Sequence, residues 1–215
     1  MKKLLGVLLI IVIVIGCTKD DKVNETSNAN IPSIIIGTQT WTAKNLDIET
    51  YRDGTPIPQV TDPISWANLT TGAWCYNANQ TANGTVYGKL YNWYAVHDPR
   101  GLAPVGYHIP SNSEWTTLSN FLGGNSFAGG KMKALEFWSS PNTEATNSSG
   151  FTGLPGGLRE NDGSFASIGY NGVWWSSTEY SSTQGGSCGM NYGAASVNIG
   201  GDDKVEGNSV RCIKD

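Results

Sequence analysis

Seventeen residues into the chain stands a cysteine that its neighbours prepare for chemistry. Lys2 and Lys3 open the sequence, an apolar run interrupted only by Gly6 spans Leu4 to Ile15, and Gly16 and Cys17 follow. A charged start, a short apolar stretch and a small residue before the cut have the form of a secretory signal. A cysteine directly after the cut is the lipoprotein variant. There the Cys17 thiol takes a diacylglycerol and its freed amine a further acyl chain, palmitate for example. The run is too short to cross a bilayer as a helix, which needs about 20 apolar residues. Each buried methylene contributes about 0.8 kcal/mol and a single chain holds only marginally, so more than one chain gives firm retention. An ordinary cleaved signal that happens to precede a cysteine is the competing reading.

Other residues able to do chemistry are few. His97 and His108 are the only histidines, and no His-x-x-x-His or Cys-x-x-Cys spacing accompanies them, so no metal site is expected. Glu114 could act as a general acid, but it sits three residues after Ser111, where it can close a capping box. Glu179 follows Trp174-Trp175 and could line a cleft or end a strand as a paired carboxylate. Asp202, Asp203 and Glu206 gather carboxylates in one loop without the spacing of an EF-hand, and a solvated loop is expected there. No phosphate-binding glycine loop with lysine occurs. No catalytic set and no cofactor is implied.

Adjacent Trp174 and Trp175 on a strand must face opposite sides. One is expected in the core, and the other either packs under helices or faces a groove. Aromatic faces stack on sugars, so Trp175, with Glu179 nearby, is a candidate ligand contact.

Charge narrows the partners. Without Lys2 and Lys3 the 14 basic residues fall to 12 against 18 acidic ones, a formal charge of −6 after signal removal. No basic footprint for nucleic acid exists. Thr18-Lys19-Asp20-Asp21-Lys22 resembles the export signature of Gram-negative surface lipoproteins. It implies the outer membrane and display toward the cell exterior, unless the charges only solvate a tether. Residues 17–30 read as the lipidated cysteine and a flexible tether poor in large apolar side chains, after a signal at 1–16. One domain is expected over 31–215.

The elements that must position these residues are short. Ile34 to Ile36 and Thr40 to Thr42 around Gly37 read as a hairpin. Ser65 to Leu69 suits one helical turn, Trp74 to Tyr76 a strand, and Asn77 to Gly84 a polar loop. Leu90, Tyr91, Trp93, Tyr94 and His97 recur at helical spacing, predicting a helix over 88–96, with a strand as the alternative. Ser111 with Glu114 starts a helix whose buried face is Trp115, Leu118 and Leu122. A second helix over 129–137 would turn Met132 and Leu135 inward. Beyond Gly150 the pattern is short strands near 150–158, 164–168, 173–177, 187–192, 195–199 and 209–213, separated by glycine turns. The fold class is α+β, short helices packed on a twisted, mostly antiparallel sheet.

Five ordered blocks then carry a resemblance. They are Tyr87-Gly88 with Leu90 to Val96, Gly106 to Ser111 with Glu114-Trp115, Gly150-Phe151 with Leu154 to Gly157, Trp174 to Glu179, and Ser209 to Cys212 with Lys214-Asp215. Together they resemble the Fibrobacter succinogenes major paralogous (FISUMP) domain over Ile34 to Asp215. That family is similar to C-type lectin-like and formylglycine-generating-enzyme-like folds, so a C-type lectin-like architecture is implied. The lectin-type Glu-Pro-Asn and Trp-Asn-Asp triplets are missing. Ala103 stands where the family usually has a cysteine, which removes a bond from that site to Cys212.

Exported chains meet oxidising conditions. Of Cys75, Cys188 and Cys212, the pair Cys188–Cys212 is the disulfide candidate, on neighbouring strands of the terminal sheet. Three buried free thiols are the alternative. The overall expectation is a non-enzymatic surface lipoprotein binding a glycan or a surface protein, attached to a membrane by lipid. An enzyme with reactive cysteines, or an adhesion or structural protein, are the alternatives.

Overall fold

The computed structural model describes residues 31–215. Cys17, the expected signal and the whole expected tether lie outside the described residues.

In chain order the elements are β1 (Ser33–Ile36), β2 (Gln39–Thr42), α1 (Pro63–Ala67), β3 (Trp74–Cys75), α2 (Thr81–Tyr87), β4 (Leu90–Tyr91), α3 (Trp93–Val96) and β5 (Tyr107–His108). They continue with α4 (Asn112–Phe121), α5 (Asn125–Met132), β6 (Leu158–Arg159), β7 (Phe165–Ala166), β8 (Asn171–Glu179), β9 (Gln184–Asn191), β10 (Val197–Asp203) and β11 (Ile213–Lys214). The architecture is α+β, with antiparallel pairing within every sheet. One sheet runs β1-β2-β11-β5, a second runs β10-β9-β8, and β3-β4 and β6-β7 are two-stranded.

The β1–β2 hairpin forms because β-branched residues favour extended backbone and Gly37 turns with φ +62°. A side chain at that position would also strike the Phe121 ring. Helix α4 starts as expected. Ser111 Oγ accepts from Glu114 N at 3.3 Å, and Ser111 N donates to Glu114 Oε2 at 2.8 Å. Such caps are worth about 1 kcal/mol.

Elsewhere tertiary pairing overrides local rhythm. The helix expected over 88–96 divides. Leu90 and Tyr91 pair with Cys75 and Trp74 as strands, and Asn92 then caps α3 by accepting from Ala95 N at 3.1 Å. An extended capping residue cannot also continue a helix backward, so only the last turn is helical. The second helix lies at 125–132 rather than 129–137, and Leu135 is exposed while Met132 is buried. Part of the expected loop at 77–84 belongs to α2. The strand expected at 150–158 is irregular up to Leu158.

Trp174 and Trp175 do face opposite sides of β8. Trp174 packs with Trp41, Trp115, Phe151, Cys188 and Met190 under α4 and α5. Trp175 packs with Trp74, Tyr91, Trp93, Val210 and Cys212 in a second core. Both indoles are fully buried, each donating to a fixed acceptor: Trp174 to Asn45 Oδ1 and Trp175 to the Tyr91 carbonyl.

Long irregular segments between these elements are gathered by buried cations that donate to carbonyls. The Arg211 guanidinium lies over Phe151 and donates to Thr42 O (3.0 Å), Phe151 O (2.8 Å), Thr152 O (3.2 Å) and Asn45 Oδ1 (2.8 Å). Arg159, stacked on Trp66 and Phe165, donates to Val60 O, Thr61 O and Gly163 O. Lys133 Nζ donates to Thr143 O, Asn191 O and Ala194 O. Removing Arg211 would leave three carbonyls unpaired in a dry interior and take one of two donors from Asn45 Oδ1, and each unmet group costs about 1–3 kcal/mol. Arg211→Met is therefore expected to lower the unfolding free energy by roughly 3–5 kcal/mol. Arg211→Lys, with a smaller and differently shaped set of donors, should recover less than about half of that. Urea denaturation of both variants checks the order.

Candidate functional site

The outer face of the β10-β9-β8 sheet carries the candidate site. Side chains alternate across a strand, so Cys188, Met190, Val197 and Ile199 point to the first core while Ser187, Gly189, Asn191, Asn198 and Asp202 take the other face. On β8, Asn171 and Val173 share that outer face, and Trp175 continues it beneath the second core. The β6–β7 hairpin and its flanks stand beside the sheet and contribute Leu158, Glu160 and Ser167 as a wall. The resulting cleft encloses about 360 Å³, within the roughly 300–1,000 Å³ of small-ligand sites.

Its floor is mostly amide and hydroxyl, with Val173 and Gly189 among them. Val173, Gly189 and Asn198 lie in register across the three strands, and Asn171 pairs with Asn191, whose Nδ2 donates to Asn171 Oδ1 at 2.7 Å. A side chain at Gly189 would meet nothing, so the missing Cβ leaves open space in the middle of the floor.

One end is acidic. Asp202 accepts from Asn208 Nδ2 at 3.0 Å, and the Oδ1 of fully buried Asn208 has no hydrogen-bond partner. Burial, reinforced by the Asp203 charge, raises the Asp202 pKa against the bonds from Ser187 and Asn208. Burial, then the charges of Asp202, Glu160 and Asp203, pushes Glu206 up to about 8. The carboxylates expected in a solvated loop are thus partly withdrawn from water. The reason is that Asp202 ends β10 on the cleft side, beside Asn208 and Ser187. Among the described residues no cluster of three or more His, Cys, Asp or Glu is arranged to hold a metal ion.

The residues singled out by type fall elsewhere. Trp175 cannot stack on a ligand, because its ring is 0 % exposed and its indole N–H is spent on Tyr91 O. Glu179 is exposed but outside the cleft, and its carboxylate accepts from Lys204 Nζ, whose hydrogen bond and charge lower its pKa. The expected Cys188–Cys212 disulfide is absent, and Cys75, Cys188 and Cys212 are free, buried thiols. Cys188 sits on the central strand β9 facing the first core, whereas Cys212 lies in the second core, where its carbonyl accepts from Thr42 N beside β2. The strand expected over 209–213 instead runs parallel to β8 at Ser209 and then crosses to the other sheet, which separates the two sulfurs. Burial pushes the Cys75 and Cys212 thiols up to about 12 and Cys188 higher still, so none is poised as a thiolate.

His108 and Glu114 form a surface clamp. His108 Nε2 bonds Glu114 Oε1 and Nδ1 bonds Asp215 Oδ1, both at 2.8 Å. Burial disfavours the imidazolium, but hydrogen bonds and charges from Glu114 and Asp215 outweigh it and raise the His108 pKa above 6.5. Burial likewise disfavours the Glu114 carboxylate, yet bonds from Ser111 and His108 bring its pKa below 4.5.

An α+β domain of short helices, with a polar cleft on one sheet, is thus the class that fold and site define. Residues 34–214 match the Fibrobacter succinogenes major domain, and the chain belongs to that family. No curated protein and no solved structure matches it. The family's motif blocks build the cores, the Ser111 cap, the Arg211 centre and the His108 clamp, and none of their residues lines the cleft. The cleft asparagines were not picked out by residue type. The signal that could have found them is the alternation Ser187-Gly189-Asn191 against Cys188-Met190, and Asn198-Gly200-Asp202 against Val197-Ile199.

The clamp has a defined pH signature. The raised His108 pKa stabilises fully below about pH 6.5 and is lost as pH rises through its folded value. The depressed Glu114 pKa stabilises fully above about pH 4.5 and is lost as pH falls through its folded value. His108→Ala should therefore lower the melting temperature most between about pH 4.5 and 6.5, with the difference shrinking toward pH 9. Melts of both proteins across that range check it.

Proposed function

We propose that the protein is a non-catalytic binding module of the cell surface, anchored in the outer membrane through acyl chains on Cys17 and facing outward. The cleft is where it takes a glycan. One observation carries the reading: a sheet-face cleft lined mostly by amides, hydroxyls and carboxylates, with open space over Gly189 beside Val173. Sugars present hydroxyls as both donors and acceptors, and asparagine amides match both roles. Gly189 leaves room for a ring to approach the sheet. The lectin-like resemblance of the family supports the same class.

The enzyme alternative needs accessible thiolates, and the three cysteines of the domain are buried with raised pKa values. That favours binding over cysteine chemistry.

Gly189→Val offers a clean probe. The new side chain would enter open space on a strand that favours β-branched residues. Wild type should bind at least one oligosaccharide on a glycan array. Gly189→Val should lose that signal by about tenfold or more, with a melting temperature equal or higher. Equal binding by both proteins would remove the cleft from the account.

Anchoring is tested separately. Cells fed an alkyne fatty acid should label the wild-type chain and leave Cys17→Ser unlabelled. An unlabelled wild type would end the lipoprotein reading.

A further inference from the structure

The cleft has a chemical bias beyond its taste for hydroxyls: its acidic end holds more acceptors than donors. Glu160 and Asp202 line it, Glu206 and Asp203 stand beside them, and among the described residues no lysine or arginine lines the cleft. The nearest basic residues in sequence are committed elsewhere. Lys204 donates to Glu179 and the Ser182 carbonyl, and Arg159 donates to Val60, Thr61 and Gly163 carbonyls. Among the described residues neither Glu160 nor Glu206 has an ion pair. Asn208, fully buried, spends its amide N–H on Asp202 and keeps an unpaired Oδ1.

We propose that this end of the cleft receives a protonated amino group, so that the ligand is an oligosaccharide carrying free amines. The inference rests on the cleft being the glycan site. An ammonium brings three donors and no acceptor, which is the complement of Glu160, Asp202 and Glu206. Its charge would offset the burial and mutual repulsion that raise the pKa values of Asp202 and Glu206. The amide and hydroxyl floor next to it would take the ring hydroxyls, so a saccharide satisfies both ends and a simple polyamine only one. Anionic saccharides, bearing uronate or sulfate, would be repelled.

The test uses residues 17–215 with three neutral or cationic tetramers of matched linkage: β-1,4-glucosamine, its fully N-acetylated form and cellotetraose. Titration calorimetry at low salt and pH 6 should give the amine tetramer at least about tenfold tighter binding than either neutral one. Raising the salt should narrow the gap. Glu160→Gln combined with Asp202→Asn should bring the amine tetramer within about twofold of cellotetraose, and Gly189→Val should block all three. Circular dichroism melts confirm folded variants.

Tetramers that bind equally well, with Gly189→Val blocking them, would overturn the amine preference and leave the glycan cleft standing. No binding by any tetramer would count against both. Tetralysine binding as tightly as the amine tetramer would overturn the saccharide half of the proposal.

Discussion

A buried cation wrapped in main-chain carbonyls is the interaction on which this structure depends. Its strands and helices are short, and much of the chain between them has no ladder to satisfy its carbonyls. Arg211, Arg159 and Lys133 supply donors to those carbonyls from inside. Each centre joins segments far apart in sequence: Arg211 ties residues 42, 45, 151 and 152, and Arg159 ties 60, 61 and 163. The cost of burying a charge without a carboxylate is offset by several charge-assisted bonds and an aromatic face beneath the cation. A guanidinium suits the work because its fork reaches several carbonyls in one plane.

Once those centres fix the loops, the two tryptophan cores and the sheet between them follow. Trp174 and Trp175 face opposite cores from the same strand, so β8 is the partition of the molecule. Beyond the second core, the same face opens into the cleft. Small and polar residues dominate the lining of the open region, Gly189, Asn171, Asn191 and Asn198 among them, with Val173 and Leu158 as apolar exceptions.

Much of this organisation was legible where one residue type has one local job. The Ser111–Glu114 box, the Gly37 hairpin and the opposed tryptophans all rest on short-range geometry, and they fold as expected. What escaped reading depends on partners distant in sequence. Leu90 and Tyr91 have helical spacing but find strand partners at Cys75 and Trp74. Lys133 leaves helix α5 with its amine held by carbonyls at 143, 191 and 194, and Leu135 is then exposed. The site escaped for a related reason. Trp175 and Glu179 stand out by type, yet the cleft uses modest residues whose meaning is their shared face. Cys188 and Cys212 could pair only if 209–213 were the next strand of one sheet, and the chain instead crosses there to the other sheet.

The four-stranded sheet also sets how the domain can be joined to other chains. Its order β1-β2-β11-β5 places the first strand one strand away from the last, and Asp215 is held by His108 on the neighbouring β5. Entry and exit therefore lie on one sheet, whereas the cleft belongs to another. Such a module can be grafted into a host loop or circularly permuted with little stretching of its backbone, because only one strand separates β1 from β11.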